Sequence, residues 1–253
     1  MNALRETRIV FNRSMRLSVR NPAWVIIGLT QPILYLALFG PLLKKMTQVP
    51  GFPPGSWWQV FVPGLLIQLG IFGAMFVGFG LIAEYRAGVI EQMRVTPASR
   101  TALLMGRVLR DVVVLVVQAA VLIGIATIFG LRAPVGGVLL AFILVALLGA
   151  ACASASYAVA LITKSEDALA PLLNTVAVPV MLLSGIMLPM SLAPKWLRTI
   201  AEINPFSHIV DGIRSLFRGH FSSADSMWGI AVALIIVLLG IAFGARTFQR
   251  ESA

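Results

Sequence analysis

Charged side chains are scarce in this sequence, and their scarcity excludes most soluble folds. Only 12% of the 253 residues are Asp, Glu, Lys or Arg, and 58% are hydrophobic, whereas soluble domains average about 25% charged residues. The chain therefore belongs in a bilayer. Basic residues outnumber acidic ones by 20 to 10, an excess that fits cytoplasmic loops facing anionic lipid and argues against a nucleic-acid partner.

Cysteine and histidine are also rare, which limits the available chemistry. Cys152 is the single cysteine, so an intramolecular disulfide is excluded, and no Cys/His cluster has metal-ligand spacing. His208 and His220 leave little room for histidine-based catalysis. The phosphate-binding pattern G-x-x-x-x-G-K-[ST] is missing as well. We expect no metal, cofactor or nucleotide site on this chain.

What the sequence does contain is six long apolar runs. Each reaches the roughly 20 residues that an α-helix needs to cross a bilayer. They lie near Ala23–Leu43, Trp57–Ala83, Leu103–Leu131, Val135–Ile162, Ala168–Met190 and Met227–Ala245. The sequence thus predicts an all-α polytopic membrane protein with one transmembrane domain over residues 1–253. We expect the first run to remain as an anchor, because the basic stretch before it is long for a signal peptide.

Small residues and a lack of ionisable ones distinguish these runs. The second is rich in glycine and the fourth contains the small-residue stretch Gly149–Ser156, so we expect both helices to pack closely against protein. Asp111, near the start of the third run, can pair with Arg107 one turn earlier. No run carries an acidic group, Lys or His at mid-membrane, where ion-coupled transporters usually need one. A partner must therefore supply the energy for any transport.

Basic residues also set the predicted orientation. With the N-terminus inside, thirteen Lys and Arg residues fall on the cytoplasmic side and seven on the outer side. This bias predicts that both termini are cytoplasmic. We also expect the chain to lie in the cytoplasmic membrane.

Residues 1–22 are predicted to form a cytoplasmic helix along the membrane surface. Leu4, Phe11, Met15 and Val19 share one helical face, opposite most of the arginines. The arginines assigned to this interface are Arg5, Arg8, Arg13 and Arg16. A tail whose positive charge only fixes topology is an equally good interpretation.

The charged stretch of residues 84–100, between the second and third runs, is predicted to be a docking loop. Glu84–Arg94 can form a short helix with an i,i+3 pair between Glu91 and Arg94, and Thr96-Pro97 ends it. The alternative is an ordinary basic loop that only sets topology.

Residues 191–224, between the fifth and sixth runs, contain two further helix starts. Pro194 follows Ala193, and Asn204-Pro205 supplies a cap and a proline at the first helical position. Apolar residues then keep helical spacing on one face, while His208, Asp211 and Arg214 lie on the other. Two such helices can dip into the membrane and return, or lie flat on the outer surface, and the pattern fits both.

These stretches resemble a known family. Leu183-Ser-Gly-Ile-Met-Leu-Pro189, Pro194-Lys-Trp-Leu-Arg198, Ile203-Asn-Pro-Phe206 and Val210-Asp-Gly-Ile-Arg214 resemble the permeases of type-2 ATP-binding-cassette exporters, most closely the daunorubicin-resistance-type group. Glu84-Tyr-Arg-Ala-Gly88, Glu91 and Thr96-Pro97 resemble the cytoplasmic loop of that family. Val89 departs from the pattern, since a threonine is expected after the glycine.

The resemblance implies a permease subunit that exports a hydrophobic or amphiphilic solute, such as a drug, a lipid or a lipid-linked glycan. ATP and Mg would bind to two separate ATPase subunits, and a second permease copy or a paralogue would complete the complex within membrane lipid. The residues implied for coupling to the ATPase are Glu84, Arg86, Gly88, Glu91, Arg94, Thr96 and Pro97. Those implied for an outer re-entrant gate are Asn204, Pro205, His208, Asp211 and Arg214.

Two other functions compete with transport. A non-transporting assembly or regulatory subunit would show the same six runs. An intramembrane serine protease would need a Ser–His pair at membrane depth, for which Ser184 and His208 are the candidates.

Overall fold

Every regular element is a helix in residues 3–88 and 99–251, the part of the chain that the computed structural model describes. In chain order the helices are α1 (Ala3–Arg20), α2 (Ala23–Met46), α3 (Trp57–Met75), α4 (Gly78–Arg86), α5 (Arg100–Ile128), α6 (Val135–Thr163), α7 (Glu166–Leu183), α8 (Lys195–Ile203), α9 (Pro205–Phe217) and α10 (Ala224–Glu251), with a 3-10 turn at Met190–Leu192 before α8. Six spans are long and apolar enough to cross a membrane: α2, α3 with α4, α5, α6, α7 and α10. The predicted all-α, six-span architecture is confirmed.

The core is built around the second and fourth spans, as their small residues predict. Protein buries 61% of the most apolar part of the α3–α4 span and 44% of that of α6, against 17% for both α2 and α7. A Cβ on Gly149 of α6 would lie 2.4 Å from a methyl carbon of Leu115. Because lipid supplies no hydrophobic force between spans, such close approaches are what hold them together.

The second span is two helices rather than the single one predicted. α3 ends at Met75 and α4 begins at Gly78. Ser156 of α6 fills the break, because its hydroxyl donates to the Met75 carbonyl and accepts from the Gly78 amide at 3.0 Å. A Cβ on Gly78 would lie 2.7 Å from that hydroxyl oxygen. A side chain from a neighbouring span thus satisfies backbone groups that a broken helix frees.

The fifth span is shorter than predicted. α7 ends at Leu183, before the predicted end at Met190, and its 18 residues span about 27 Å. Gly185 follows with a φ of 67°, a left-handed conformation that terminates the helix and favours glycine. The turn then rests on α3, where a Cβ on Gly64 would lie 2.3 Å from the Ile186 carbonyl oxygen.

Candidate functional site

At one end of the bundle, the N-terminal helix α1 packs against the first half of α5. A Cβ on Gly106 of α5 would lie 2.7 Å from the Cβ of Val10. The Glu6 carboxylate is buried and accepts a hydrogen bond from the Ser99 amide at 2.8 Å, and the Ser99 hydroxyl caps α5 by accepting from the Ala102 amide. α1 is therefore fixed to the start of α5.

The packing face of α1 differs from the apolar face predicted. Leu4 and Val19 of the predicted face are 85% and 71% exposed, while Glu6 and Val10 make the contacts with α5. The reason is that a glycine at position 106 admits a close backbone approach on that side. The side chains of Arg5, Arg8, Arg13 and Arg16 are exposed, so the basic surface of this helix remains available.

The contact with Ser99 also changes the acidity of Glu6. The backbone hydrogen bond from Ser99 lowers the pKa of Glu6 below its usual value, because it stabilises the ionised carboxylate. Glu6 is the single acidic residue among the five arginines of residues 1–20. That isolation is the sequence signal that could have predicted its structural role.

The end of α4 is joined to α5 by an ion pair that the sequence analysis did not predict. Arg107 donates to the Glu84 carboxylate at 2.5 Å, with 7% of the arginine side chain and 36% of the glutamate side chain exposed. Asp111, predicted to pair with Arg107, instead accepts from the Tyr157 hydroxyl at 2.5 Å and lies 3.1 Å from Arg110. These bonds tie together the adjoining ends of α4, α5 and α6.

The short helix predicted over Glu84–Arg94 does not begin at Glu84. Glu84 and Arg86 occupy the last turn of α4, which ends at Arg86 and is followed by Gly88 with a φ of 70°. Arg86 forms an exposed ion pair with Glu166 at 3.4 Å. The remaining predicted coupling residues, Glu91, Arg94, Thr96 and Pro97, lie outside the residues that the structure describes.

At the opposite end of the bundle, Asn204 begins α9 as predicted. Its side-chain oxygen accepts from the Phe206 amide at 3.0 Å, and Pro205 occupies the first helical turn. Its side-chain nitrogen also donates to the Val180 carbonyl at 2.9 Å and to the Ser184 hydroxyl at 3.0 Å. One buried residue therefore caps α9 and fastens it to the end of α7.

Arg214 makes the second connection at this end, and it is buried rather than on an open polar face. Its guanidinium donates to the Val60 carbonyl at 2.9 Å, to the Gly185 carbonyl at 2.6 Å and to the Asp211 carboxylate at 3.0 Å. Only 5% of Arg214 is exposed, whereas 53% of the Asp211 side chain is. Arg214 thus pairs with Asp211 one turn before it on α9, and it also joins α9 to α3.

α9 lies inside the bundle of spans. Its apolar residues Ile209, Val210, Ile213, Leu216 and Phe217 are fully buried. Glycines allow the backbone of α9 to approach two neighbouring helices. A Cβ on Gly137 of α6 would lie 2.2 Å from the Leu216 carbonyl oxygen. A Cβ on Gly212 of α9 would lie 3.0 Å from Cα of Gly229 in α10. A hairpin lying flat on the bundle would not enclose α9 in this way. By contrast, α8 exposes Trp196 and Ile203.

The candidate protease pair is not assembled. The Ser184 hydroxyl donates to the Val180 carbonyl and accepts from Asn204. His208 bonds through Nε2 to the Glu202 carbonyl oxygen at 3.0 Å. Each side chain is thus engaged elsewhere, and the geometry gives no support to a Ser–His nucleophile.

Comparison with known proteins identifies the family. The profile described as "ABC-2 type transporter" matches residues 5–217. The chain belongs to the ABC-2 type transporter family. The resemblance seen in the sequence is therefore confirmed, and the protein is a multi-pass type-2 ABC transport permease subunit.

Several relatives of this permease are similar over most of its length. The putative transport permease ycf38 of Cyanophora paradoxa is 25% identical over 200 residues, covering 78% of this chain and 69% of the relative. The daunorubicin resistance ABC transporter permease protein DrrB1 of Streptomyces coeruleorubidus is 24% identical over 230 residues, covering 88% and 77%. The probable multidrug ABC transporter permease YbhR of Escherichia coli K12 is 23% identical over 182 residues, which are 71% of this chain and 49% of the relative.

Proposed function

We propose that this permease exports a hydrophobic or amphiphilic solute across the cytoplasmic membrane, driven by ATP hydrolysis on two separate ATPase subunits. A second permease copy or a paralogue completes the complex, and both termini face the cytoplasm. ATP and Mg bind on the ATPases, and this chain supplies no nucleotide site. Membership of the ABC-2 type transporter family supports a separate ATPase partner, and the names of the DrrB1 and YbhR relatives support a drug as the solute.

One observation carries the coupling part of the proposal: the segment between α4 and α5 is fixed at both ends to neighbouring helices. Glu84, just before it, is bonded to Arg107 of α5, and Ser99, just after it, is bonded to Glu6 of α1. Any displacement of the intervening segment by a docked ATPase must therefore move α4, α5 and α1 together. Residues 84–100 fit a coupling loop, and the exposed arginines of α1 fit an ATPase or headgroup contact.

The opposite end supplies the outer gate. We assign this role to α8 and α9 because α9 enters the bundle, is hydrogen-bonded to α3 through Arg214 and to α7 through Asn204, and packs closely against α10 at Gly212. Asp211 and His208 lie on its less buried side, where they can line an exit. An arginine at this depth requires protein partners, because an unpaired charge in lipid is costly, and Arg214 has three.

The coupling proposal is tested by purifying the permease with its ATPase in lipid nanodiscs and measuring ATP hydrolysis. Glu84→Gln removes the ion pair between α4 and α5, so we expect permease-dependent hydrolysis to fall while the complex stays assembled. Glu166→Gln is the matched control, since its pair with Arg86 is exposed on both sides and such pairs contribute little. Glu91→Arg is expected to abolish docking itself, because reversing a charge at an interface costs several kcal/mol.

The outcomes separate the parts of this proposal. If no ATPase co-purifies with the wild-type permease, the transporter function is wrong and a regulatory subunit is favoured. If Glu84→Gln and Glu166→Gln behave alike, the Glu84–Arg107 pair does not transmit the movement. Normal stimulation by Glu91→Arg would remove Glu91 from the docking surface.

A further inference from the structure

A cleft of about 730 Å³ opens at the end of the bundle that holds α9. Its walls are the turn between α5 and α6, the first turn of α3 and the end of α9. Arg132 and Arg218 both line it, and its described lining contains no acidic residue. The cleft is therefore positively charged.

The two arginines are not neutralised by the protein. Among the ion pairs of residues 3–88 and 99–251, none involves Arg132 or Arg218. The Nε atom of Arg218 is buried without a hydrogen-bond partner, and the cation Arg214 lies one turn before it on α9. An anion in the cleft would pair with these two guanidinium groups, because charge-assisted hydrogen bonds from arginine to phosphate are strong.

Gln59 holds the two arginine-bearing segments together. Its side-chain nitrogen donates to the Arg132 carbonyl at 2.7 Å and to the Phe217 carbonyl at 3.3 Å. Its side-chain oxygen accepts from the Ser56 amide and completes the capping box of α3. The positions of Arg132 and Arg218 on either side of the cleft are thus built into the fold.

A helix dipole adds to this positive potential. Pro134 precedes α6 and lines the cleft, and no side chain caps the start of this 29-residue helix. The start of a helix carries a partial positive charge and unsatisfied N–H groups, which favour phosphate and other anions.

Apolar side chains flank the charged cleft. Ile128, Phe129 and Val135 are 83%, 68% and 75% exposed, and Ile128 also lines the cleft. The stacked rings of Trp57 and Trp58 lie at the same end of the second span, and tryptophan is enriched at the level of lipid headgroups. A ligand that fits both features carries a phosphate and an adjoining hydrocarbon chain.

We propose that this cleft binds the phosphate of an anionic phospholipid, with an acyl chain against Ile128, Phe129 and Val135. Free inorganic phosphate would satisfy the arginines but would leave the exposed apolar flank without a role. The proposed orientation would place this lipid in the outer leaflet, whereas the binding itself does not depend on transport.

The experiment measures lipid retained by the permease alone. The wild-type protein, purified in detergent without its ATPase, is titrated with phosphatidylglycerol or phosphatidylcholine and examined by native mass spectrometry. An arginine near the membrane surface changes the affinity for anionic lipid about fivefold. We therefore expect Arg132→Gln/Arg218→Gln to weaken phosphatidylglycerol binding about 25-fold and to leave phosphatidylcholine binding unchanged.

Lys44→Gln/Lys45→Gln is the matched control, because it removes two exposed charges at the same end of the bundle outside the cleft. A similar loss of lipid in this variant would overturn a specific site. Arg132→Gln alone, which removes no side-chain bond seen in the structure, keeps the test valid if the double variant does not fold. Wild-type lipid binding by Arg132→Gln would also overturn the proposal.

A third arm separates the two sources of phosphate. Inorganic phosphate is added in excess over bound phosphatidylglycerol at constant ionic strength. Retention of the lipid supports a headgroup site with a contribution from the acyl chain. Displacement of the lipid by this phosphate would overturn the lipid assignment and indicate a site for free phosphate. Because the readout requires neither ATPase nor solute, a negative result here is distinguishable from failure of the transport function.

Discussion

Asn204 joins α9 to α7, and its removal should be measurable as a loss of stability. In the native state the residue is 8% exposed and its side chain makes three hydrogen bonds, one as the cap of α9 and two as a donor to Val180 and Ser184. Asn204→Ala abolishes all three. Asn204→Ser keeps a good capping residue but is too short to reach α7, so it should lose only the two donor bonds.

The magnitude follows from these bonds. Loss of a helix cap costs about 1 kcal/mol, and each neutral hydrogen bond contributes about 0.5–1.5 kcal/mol. We therefore expect Asn204→Ala to lower the free energy of unfolding by about 2–4 kcal/mol and Asn204→Ser by about 1–3 kcal/mol. For a chain of this size, each kcal/mol corresponds to roughly 2–4 °C in Tm.

The single cysteine provides the assay. Cys152 is 8% exposed in the middle of α6, so a thiol-reactive dye will label it only when the spans separate. Thermal labelling curves in detergent should rank the proteins wild type, Asn204→Ser, Asn204→Ala from most to least stable. Equal curves for wild type and Asn204→Ala would refute the claim that these bonds hold α9 in place. Equal curves for the two variants would assign the whole effect to the bonds with α7.

Three further predictions concern the orientation in sealed membrane vesicles and the stability of two other contacts. In a Cys152→Ala background, Ala87→Cys should react with an impermeant thiol reagent from the cytoplasmic side and Ser222→Cys from the outer side; labelling of both from one side would contradict the six-span orientation. Since the folded-state pKa of Glu6 is depressed, its stabilising contribution is present above the usual glutamate value of 4.5 and is lost as the pH falls through the folded pKa. The difference in Tm between wild type and Glu6→Gln should therefore shrink below about pH 4.5, and a pH-independent difference would exclude this role. Ser156→Ala leaves the Met75 carbonyl and the Gly78 amide without their partner, so it should cost about 1–3 kcal/mol, whereas Ser154→Ala, which removes a buried hydroxyl without a hydrogen-bond partner, should change Tm little.

Features that depend on local chain chemistry were predictable from the sequence. The six spans follow from apolar length, and the start of α9 follows from Asn204-Pro205, because a cap and a fixed φ act within one helical turn. The Asp211–Arg214 pair follows from i,i+3 spacing in the same way. The cap at Asn204 and the Asp211–Arg214 pair are both formed within about one helical turn of the residues concerned.

Features that depend on contacts between spans were not predictable. The break at Gly78 requires Ser156 of another helix. Arg107 of the third span pairs with Glu84 of the second span, although Asp111 is nearer to it in sequence. The early end of α7 reflects the fit of Ile186 on Gly64 of α3. No periodicity within one run encodes which helix will lie beside it. The sequence therefore shows on which helix a charged residue lies, but not with which residue of another helix it pairs.

The two ends of the bundle are held by contacts of different kinds, and this difference indicates which end is closed in this structure. At the end that we assign to the cytoplasm, the Arg86–Glu166 pair is exposed on both sides, so water can replace it at small cost. At the opposite end, Gly137, Gly212 and Arg214 are all buried. Separating them would leave a buried cation and two carbonyl groups without partners, a state that is strongly disfavoured. Under the orientation that we propose, the structure is that of a permease closed at its outer end, and we propose that ATP hydrolysis on the partner supplies the energy that opens this gate.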